Sequence, residues 1–244
     1  MSRKRIWLFV VEGETDKTSI GLSIEELVKS DTVDFDVFCS DIFGAAQYWT
    51  GVDSVMRIKD ICDRVRKEVV EYLDGADYSW GDLDRIVLLL DTDGSFIPNH
   101  LVVENVQIEH ICYFADHVEA PNADHVRKRN IERSSNVRRM IGRGRVTYNR
   151  KSVPVEVYFF SRNLEHALHN KSGQLSDRMK ARLANEFRSA YKNDSAGFIR
   201  LFEEDLAVPG DYQGTWKYVF EDAHSLERGS NLHILLQLVL DGHD

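Results

Sequence analysis

The stretch Arg85-Ile-Val-Leu-Leu-Leu-Asp-Thr-Asp-Gly94 constrains the fold more than any other in this chain. An unbroken aliphatic run closed by acidic and turn-forming residues reads as a strand buried on both faces, the kind that parallel sheets contain. Asp91 and Asp93 stand at its end. Side chains two apart on a strand share a face, so a strand that holds to its tip brings these carboxylates together. In an open α/β sheet, ligands bind just outside the carboxyl ends of the strands. Two hard oxygen donors there suit Mg²⁺ or Mn²⁺. The plainer alternative is a polar Asp-Thr-Asp-Gly turn that only ends a core strand.

The preceding sequence supplies companions. Residues 6–11 form a second apolar run that delivers Glu12, and Gly13 then permits a tight turn. Thr15 or Asp16 is placed to cap a helix reaching about residue 29, with Ile20, Ile24, Leu27 and Val28 as its apolar stripe. Residues 33–39 alternate apolar and acidic positions, as in a half-exposed strand near a sheet edge. Residues 53–74 read as an amphipathic helix with Ile58, Ile61, Val65, Val69 and Leu73 facing inward, and 75–81 as the turn that follows. This strand–helix alternation predicts a parallel sheet with right-handed crossovers, which brings Glu12 to the same edge as Asp91 and Asp93. Carboxylates so close resist joint ionisation unless a cation neutralises them.

Beyond Gly94 the pattern loosens. Residues 102–118 read as a strand or hairpin, 122–141 as a basic helix, 142–145 as a flexible basic loop and 153–160 as another strand. A polar turn then opens a helix at Glu165, which is either a fourth acidic contributor or a first-turn carboxylate complementing the helix dipole. His166 and His169 lack a third nearby ligand and read as core or surface residues. The last third looks helical: Leu175, Met179, Leu183, Phe187 and Tyr191 make one stripe, followed by elements at 196–206, 215–224 and 231–240. The expected organisation is one domain over 1–170, with a basic insertion at about 96–152, and a helical extension over 171–244 packed on it.

Charge is distributed unevenly. Residues 125–151 carry +9, which leaves −18 on the remainder of a chain of net charge −9. Such asymmetry marks a phosphate-binding surface on an acidic protein, and Arg127, Lys128, Arg129, Arg138, Arg139, Arg143 and Arg145 are the candidate nucleic-acid contacts; the alternative is a solvated basic helix. Cys39, Cys62 and Cys112 are odd in number and widely spaced, as expected of free thiols in a cytoplasmic protein. No apolar run approaches the roughly 18–20 residues of a membrane span. No glycine-rich phosphate loop ends in Lys-Ser/Thr, so the chain is not expected to hydrolyse ATP by itself.

Val10-Val-Glu12-Gly13-Glu-Thr-Asp16 after a first strand and Leu88-Leu-Leu-Asp91-Thr-Asp93-Gly94 after a third resemble the two motifs of the TOPRIM domain. With Asn163-Leu-Glu165 and Ser230-Asn-Leu-His-Ile-Leu, the chain looks most similar to small standalone RloB-like or OLD-type TOPRIM nucleases. The resemblance spans residues 5–95 and 153–170. It implies a Rossmannoid sheet, Glu12 as general acid/base or metal ligand, and Mg²⁺ held by Asp91 and Asp93. It also implies a phosphodiester-cleaving effector of phage defence acting on DNA or RNA, controlled by a separate ATPase. Departures are the long basic segment before residue 153 and a helical C-terminal third that matches no catalytic domain, although its aromatics offer area for a homodimer interface. A non-catalytic nucleic-acid-binding or regulatory module of the same shape is the second reading. The first reading needs Glu12, Asp91 and Asp93 to converge; the second needs only the basic stretch.

Overall fold

The computed structural model describes residues 4–43, 60–171 and 173–242. Strands β1 (Arg5–Val11), β2 (Val33–Cys39) and β3 (Leu83–Asp91) alternate with helices α1 (Glu14–Val28) and α2 (Ile61–Leu73). The expected helical residues 53–59, Ile58 among them, lie outside the described residues. A small sheet of β4 (Val102–Glu104), β5 (Cys112–Tyr113) and β6 (Val118–Ala120) follows, then the long helix α3 (Ala123–Arg143). The hairpin of β7 (Arg145–Tyr148) and β8 (Lys151–Phe160) leads into α4 (Leu164–His169), α5 (Asp177–Tyr191), α6 (Ser195–Arg200), α7 (Tyr212–Val219) and α8 (Leu232–Asp241).

The central sheet has the order β2-β1-β3-β8-β7, parallel throughout except for β7. Its middle strands are apolar on both faces because helices cover both. Ile6, Leu8, Val10, Leu88 and Val157 pack with Val65 and Val69 of α2 and with Val137 and Met140 of α3. The alternate residues Phe9, Val11, Val87 and Leu89 pack with Ile20 and Ile24 of α1, Phe187 of α5 and Leu235 of α8. The chain therefore leaves β1 over one face to reach β2 and returns over the other face to reach β3. The carboxyl ends of β1 and β3 flank the point where the winding reverses, the crevice in which open α/β sheets hold ligands.

Several local expectations are corrected. Gly13, in extended conformation, precedes α1 as its N-cap, in place of Thr15 or Asp16; Asp16 sits in the first turn and its Oδ2 accepts the Gly13 N–H at 2.9 Å. Residues 142–145 are not a loop. Helix α3 continues through Arg143, Gly144 ends it with a left-handed φ of 57° and its N–H donates to the Met140 carbonyl, and Arg145 already belongs to β7. Asn149 and Arg150, both at positive φ, turn β7 back onto β8. The segment 102–118, read as a strand or hairpin, contributes β4, β5 and part of β6. In α5 the stripe is shifted: Leu175 precedes the helix and Met179 is 40% exposed, while Leu183, Ala184 and Phe187 are buried.

The outer edge of β8 shows what the last third contributes. Strand β7 pairs only with the first four residues of β8. Beyond them, outward N–H groups of β8 and its continuation find other acceptors: Val157 the Tyr212 hydroxyl at 3.0 Å, Phe159 the Asn231 Oδ1 at 2.8 Å, and Ser161 the Gly229 carbonyl at 2.9 Å. Trp216 Nε1 and Ser230 Oγ donate to the carbonyls of Val157 and Phe159 at 3.2 and 2.7 Å. Side chains from α7 and from the start of α8 thus seal an edge that would otherwise invite pairing with another chain. Replacement of fully buried Asn231 by Ala leaves the Phe159 N–H without its acceptor and is expected to cost about 1–3 kcal/mol. Urea unfolding alongside Leu240→Ala, at an exposed site, checks this; equal losses in the two variants would contradict the sealing role.

Candidate functional site

The Asp91-Thr-Asp-Gly94 turn is fixed by hydrogen bonds of its buried threonine. Thr92 N–H donates to the Phe160 carbonyl at 2.9 Å and its hydroxyl to the Ser225 carbonyl at 3.0 Å, while the same oxygen accepts the Arg162 N–H at 2.7 Å. Strand β3 ends at Asp91, and Asp93 lies beyond it with a left-handed φ of 48°. The strand therefore does not hold to its tip, and Asp91 and Asp93 do not share a face by pleat alternation. They are brought near one another by the turn instead. Gly94, also left-handed at φ 62°, lies where an added Cβ would press on Leu226, Tyr113 and Val118, each 3.2 Å away.

Helix α3 crosses this edge and sends Arg133 into it. The guanidinium is 1% exposed, and its Nη2 donates to Glu12 Oε1 and to the Asp91 carbonyl, both at 2.5 Å. Nη1 lies 3.5 Å from Asp93 Oδ2, within ion-pair reach but without a hydrogen bond. A protein cation thus stands among the three carboxylates that the sequence assembles. On the far side, buried Glu165 of α4 faces Lys180 of α5 at 3.4 Å. Asp16 completes the group: its electrostatic neighbours include Glu165, Lys180 and Asp93. Among the described residues no three His, Cys, Asp or Glu side chains stand close enough together to hold a metal ion.

Burial dominates the electrostatics. It pushes the Glu12 carboxyl from 4.5 up to about 8; Arg133 opposes the shift, and Asp93, Asp41 and Asp16 add to it. Burial also lifts Asp16 to about 6, against the hydrogen bond from Gly13. Asp91 is raised well above the usual carboxylate range, by burial first and then by Asp16, Glu12, Asp93 and Glu165. The cations respond in the complementary sense. Burial works against the charge of Lys180, but Glu165, Asp91 and Asp16 outweigh it and hold its pKa above the ordinary value. The carboxylate oxygens are hard donors of the kind a small divalent ion takes, but in this arrangement of the described residues they are not gathered closely enough to hold one.

The seven expected nucleic-acid contacts separate by helix face. Arg129 is buried, with Nη2 donating to the Asp93 carbonyl at 2.8 Å and Nε to Asn130, so it supports the turn and offers nothing to a partner. Arg127 is largely engaged by the carbonyls of Asn99 and Val102. Lys128, Arg138, Arg139, Arg143 and Arg145 are exposed; Arg138 lies 3.6 Å over the Phe220 ring, Arg143 pairs with Asp60 at 3.2 Å, and Arg145 donates to Ser152. His166 is buried beside Arg162, and burial with that arginine lowers it to about 4. His169 packs edge-on against Phe187.

Arg133, Asp16 and Lys180 are the site residues that sequence reasoning overlooked. All three lie in the apolar register of their helices: Arg133 between Val126 and Val137, Asp16 four before Ile20, Lys180 four before Ala184. A charge in a core-facing register was the available signal. Compared with family models, curated proteins and solved structures, the chain matches none.

Because the folded chain keeps a proton on Glu12 that the unfolded chain releases above about 4.5, stability falls as pH rises from there toward 8. Urea unfolding in chelator at pH 5 and 8 is expected to show this decline, and Glu12→Gln is expected to reduce it. An identical pH dependence in both proteins would refute the assignment.

Proposed function

We propose that the chain is a TOPRIM-like, divalent-metal-dependent nuclease that cleaves phosphodiester bonds in DNA or RNA. The observation that carries this reading is the gathering of Glu12, Asp91, Asp93, Asp16 and Glu165 at the reversal point of the sheet, where burial and neighbouring charge raise the carboxyls of Glu12, Asp16 and Asp91. Asp91, Asp93 and Glu165 are the residues that would hold Mg²⁺ or Mn²⁺, with Asp16 beside them. Such an ion, when bound, supplies Lewis-acid stabilisation of negative charge on the phosphorane and the leaving oxygen. Glu12, with a carboxyl near 8, is matched to moving a proton at neutral pH, and Arg133 fixes the direction of its Oε1. Lys128 and Arg139, eleven residues apart and so about three helical turns apart on one face, would contact the phosphate backbone without regard to sequence. A role in phage defence, under a separate ATPase, rests on the resemblance of the two acidic motifs alone.

One observation favours a second reading. Arg133 already neutralises part of the acidic group, as expected of a binding or regulatory module in which these carboxylates only hold α3 to the sheet.

Nuclease assays on plasmid, single-stranded DNA and total tRNA, with Mg²⁺, Mn²⁺ or chelator, decide between them. Metal-dependent cleavage that falls at least about 100-fold in Glu12→Ala and in Asp91→Ala supports the enzyme. Tight binding with no cleavage under either metal supports the module, and cleavage that survives chelator or both substitutions overturns the site. For the basic face, Lys128→Ala with Arg139→Ala is expected to weaken nucleic-acid binding and to lower the salt dependence by about one unit of slope per lost contact. An unchanged slope would remove α3 from the interface.

A further inference from the structure

We infer that the hydroxyl of Tyr113, brought to the crevice by the small sheet of β4, β5 and β6, is a catalytic group that protonates the leaving oxygen as the phosphodiester breaks. This rests on the nuclease reading above and adds to it a residue that neither acidic motif contains.

Register places the side chain. Tyr113 of β5 lies directly opposite Val118 of β6, so it shares a face of the small sheet with that fully buried valine. The same face meets the Asp91-Thr-Asp-Gly94 turn: a Cβ added at Gly94 would lie 3.2 Å from Tyr113 Cε1 and from Val118 Cγ2. Cε1 adjoins the hydroxyl-bearing carbon, so the phenol end of the ring is what reaches the turn. Arg162, just past β8, holds the residue from another side. Its Nη2 donates to the Tyr113 carbonyl at 2.9 Å, and its guanidinium carbon stands 5.5 Å from the ring centre. Tyr113 is thus fixed between the turn after β3 and the residue after β8, yet it is only half-buried.

The surroundings of the hydroxyl fit a proton donor. Arg129 hydrogen-bonds it, and a guanidinium can only donate, so the phenolic hydrogen is left to another acceptor. Asp93 and Arg133 are its other charged neighbours. Burial first, and then Asp93, raise the phenol to about 12, so it meets a substrate with its proton in place.

The position suits the role. In the sheet order, β3 lies between β1 and β8. Glu12 follows β1, and Tyr113 is tied to the residue that follows β8, so the two flank the end of β3 from opposite sides. An in-line displacement needs its attacking and leaving oxygens on opposite sides of phosphorus. A water oxygen bonds to phosphorus and gives its proton to the Glu12 carboxylate. The opposite phosphorus–oxygen bond breaks with its electron pair on the leaving oxygen, which takes the Tyr113 proton. Solvent then returns a proton to the phenoxide and removes one from Glu12.

The test compares two oligonucleotides of the nucleic acid cleaved in the panel above, one natural and one with sulfur in place of the leaving oxygen at the cleavage site. A thiolate departs without being protonated. Tyr113→Phe keeps the ring on Gly94 and the carbonyl for Arg162. It is expected to lose at least about 100-fold in kcat on the oxygen ester with KM unchanged, and to cleave the sulfur ester at the native rate. Phe114→Ala, exposed on the same hairpin, is expected to match the native protein on both esters. Equal losses of Tyr113→Phe on both esters would mean that the ring only supports the turn. Native rates on both would mean that the hydroxyl takes no part. Either result overturns the inference and leaves the nuclease intact, as does a native protein that cannot cleave the sulfur ester. A native protein that cleaves no member of the panel overturns the nuclease reading and the inference together.

Discussion

The burial of one guanidinium among carboxylates is the interaction on which the rest of this structure turns. Arg133 reaches from α3 to Glu12 just past the end of β1, to the backbone of β3 at Asp91 and to the turn at Asp93. Three segments that the chain order keeps apart meet at one charge. A buried ion pair is weak evidence for stability, because desolvation consumes much of the attraction. Its value here is positional. The helix is aligned across the sheet edge, so the small sheet formed by β4, β5 and β6, which packs against the start of that helix, is placed beside the same crevice.

The basic segment is consequently two things at once. Its inward face is structural, with Arg129 tying down the Asp93 turn and Arg133 the strand ends, while its outward face carries Lys128 and Arg139. Total charge over 125–151 does not separate these roles; helical register does. The C-terminal third is likewise no loose attachment. Phe187 and Leu235 complete one face of the sheet core, and Trp216 stacks edge-on against Phe159 at 4.9 Å on the other.

The parallel core was legible because β1 and β3 are continuous apolar runs and α1 and α2 carry clean stripes, signals set by local periodicity. Glu12 and Asp91 were legible as strand-end acids for the same reason. The counter-charges were not, because nothing local in α3 or α5 says which carboxylate a distant arginine or lysine will meet. Arg133 is 121 residues from Glu12, and that pairing is decided by crossover geometry. The hairpin from Arg145 was hidden by Gly142 and Gly144, which suggest a loop; one lies inside the helix and the other is its left-handed cap. The role of Asn231 was hidden too, since sealing a strand edge leaves no periodic mark.

That seal has a consequence for the order in which the chain is made. Phe159 and the side chain that accepts its N–H are 72 residues apart. At ordinary synthesis speeds of roughly 5–20 residues per second, β8 emerges about 4–14 s before its partner. For that interval the strand presents an open, aromatic-rich edge, the kind most prone to pair with another nascent chain. Shielding during translation is therefore a requirement that this topology places on the cell that makes it.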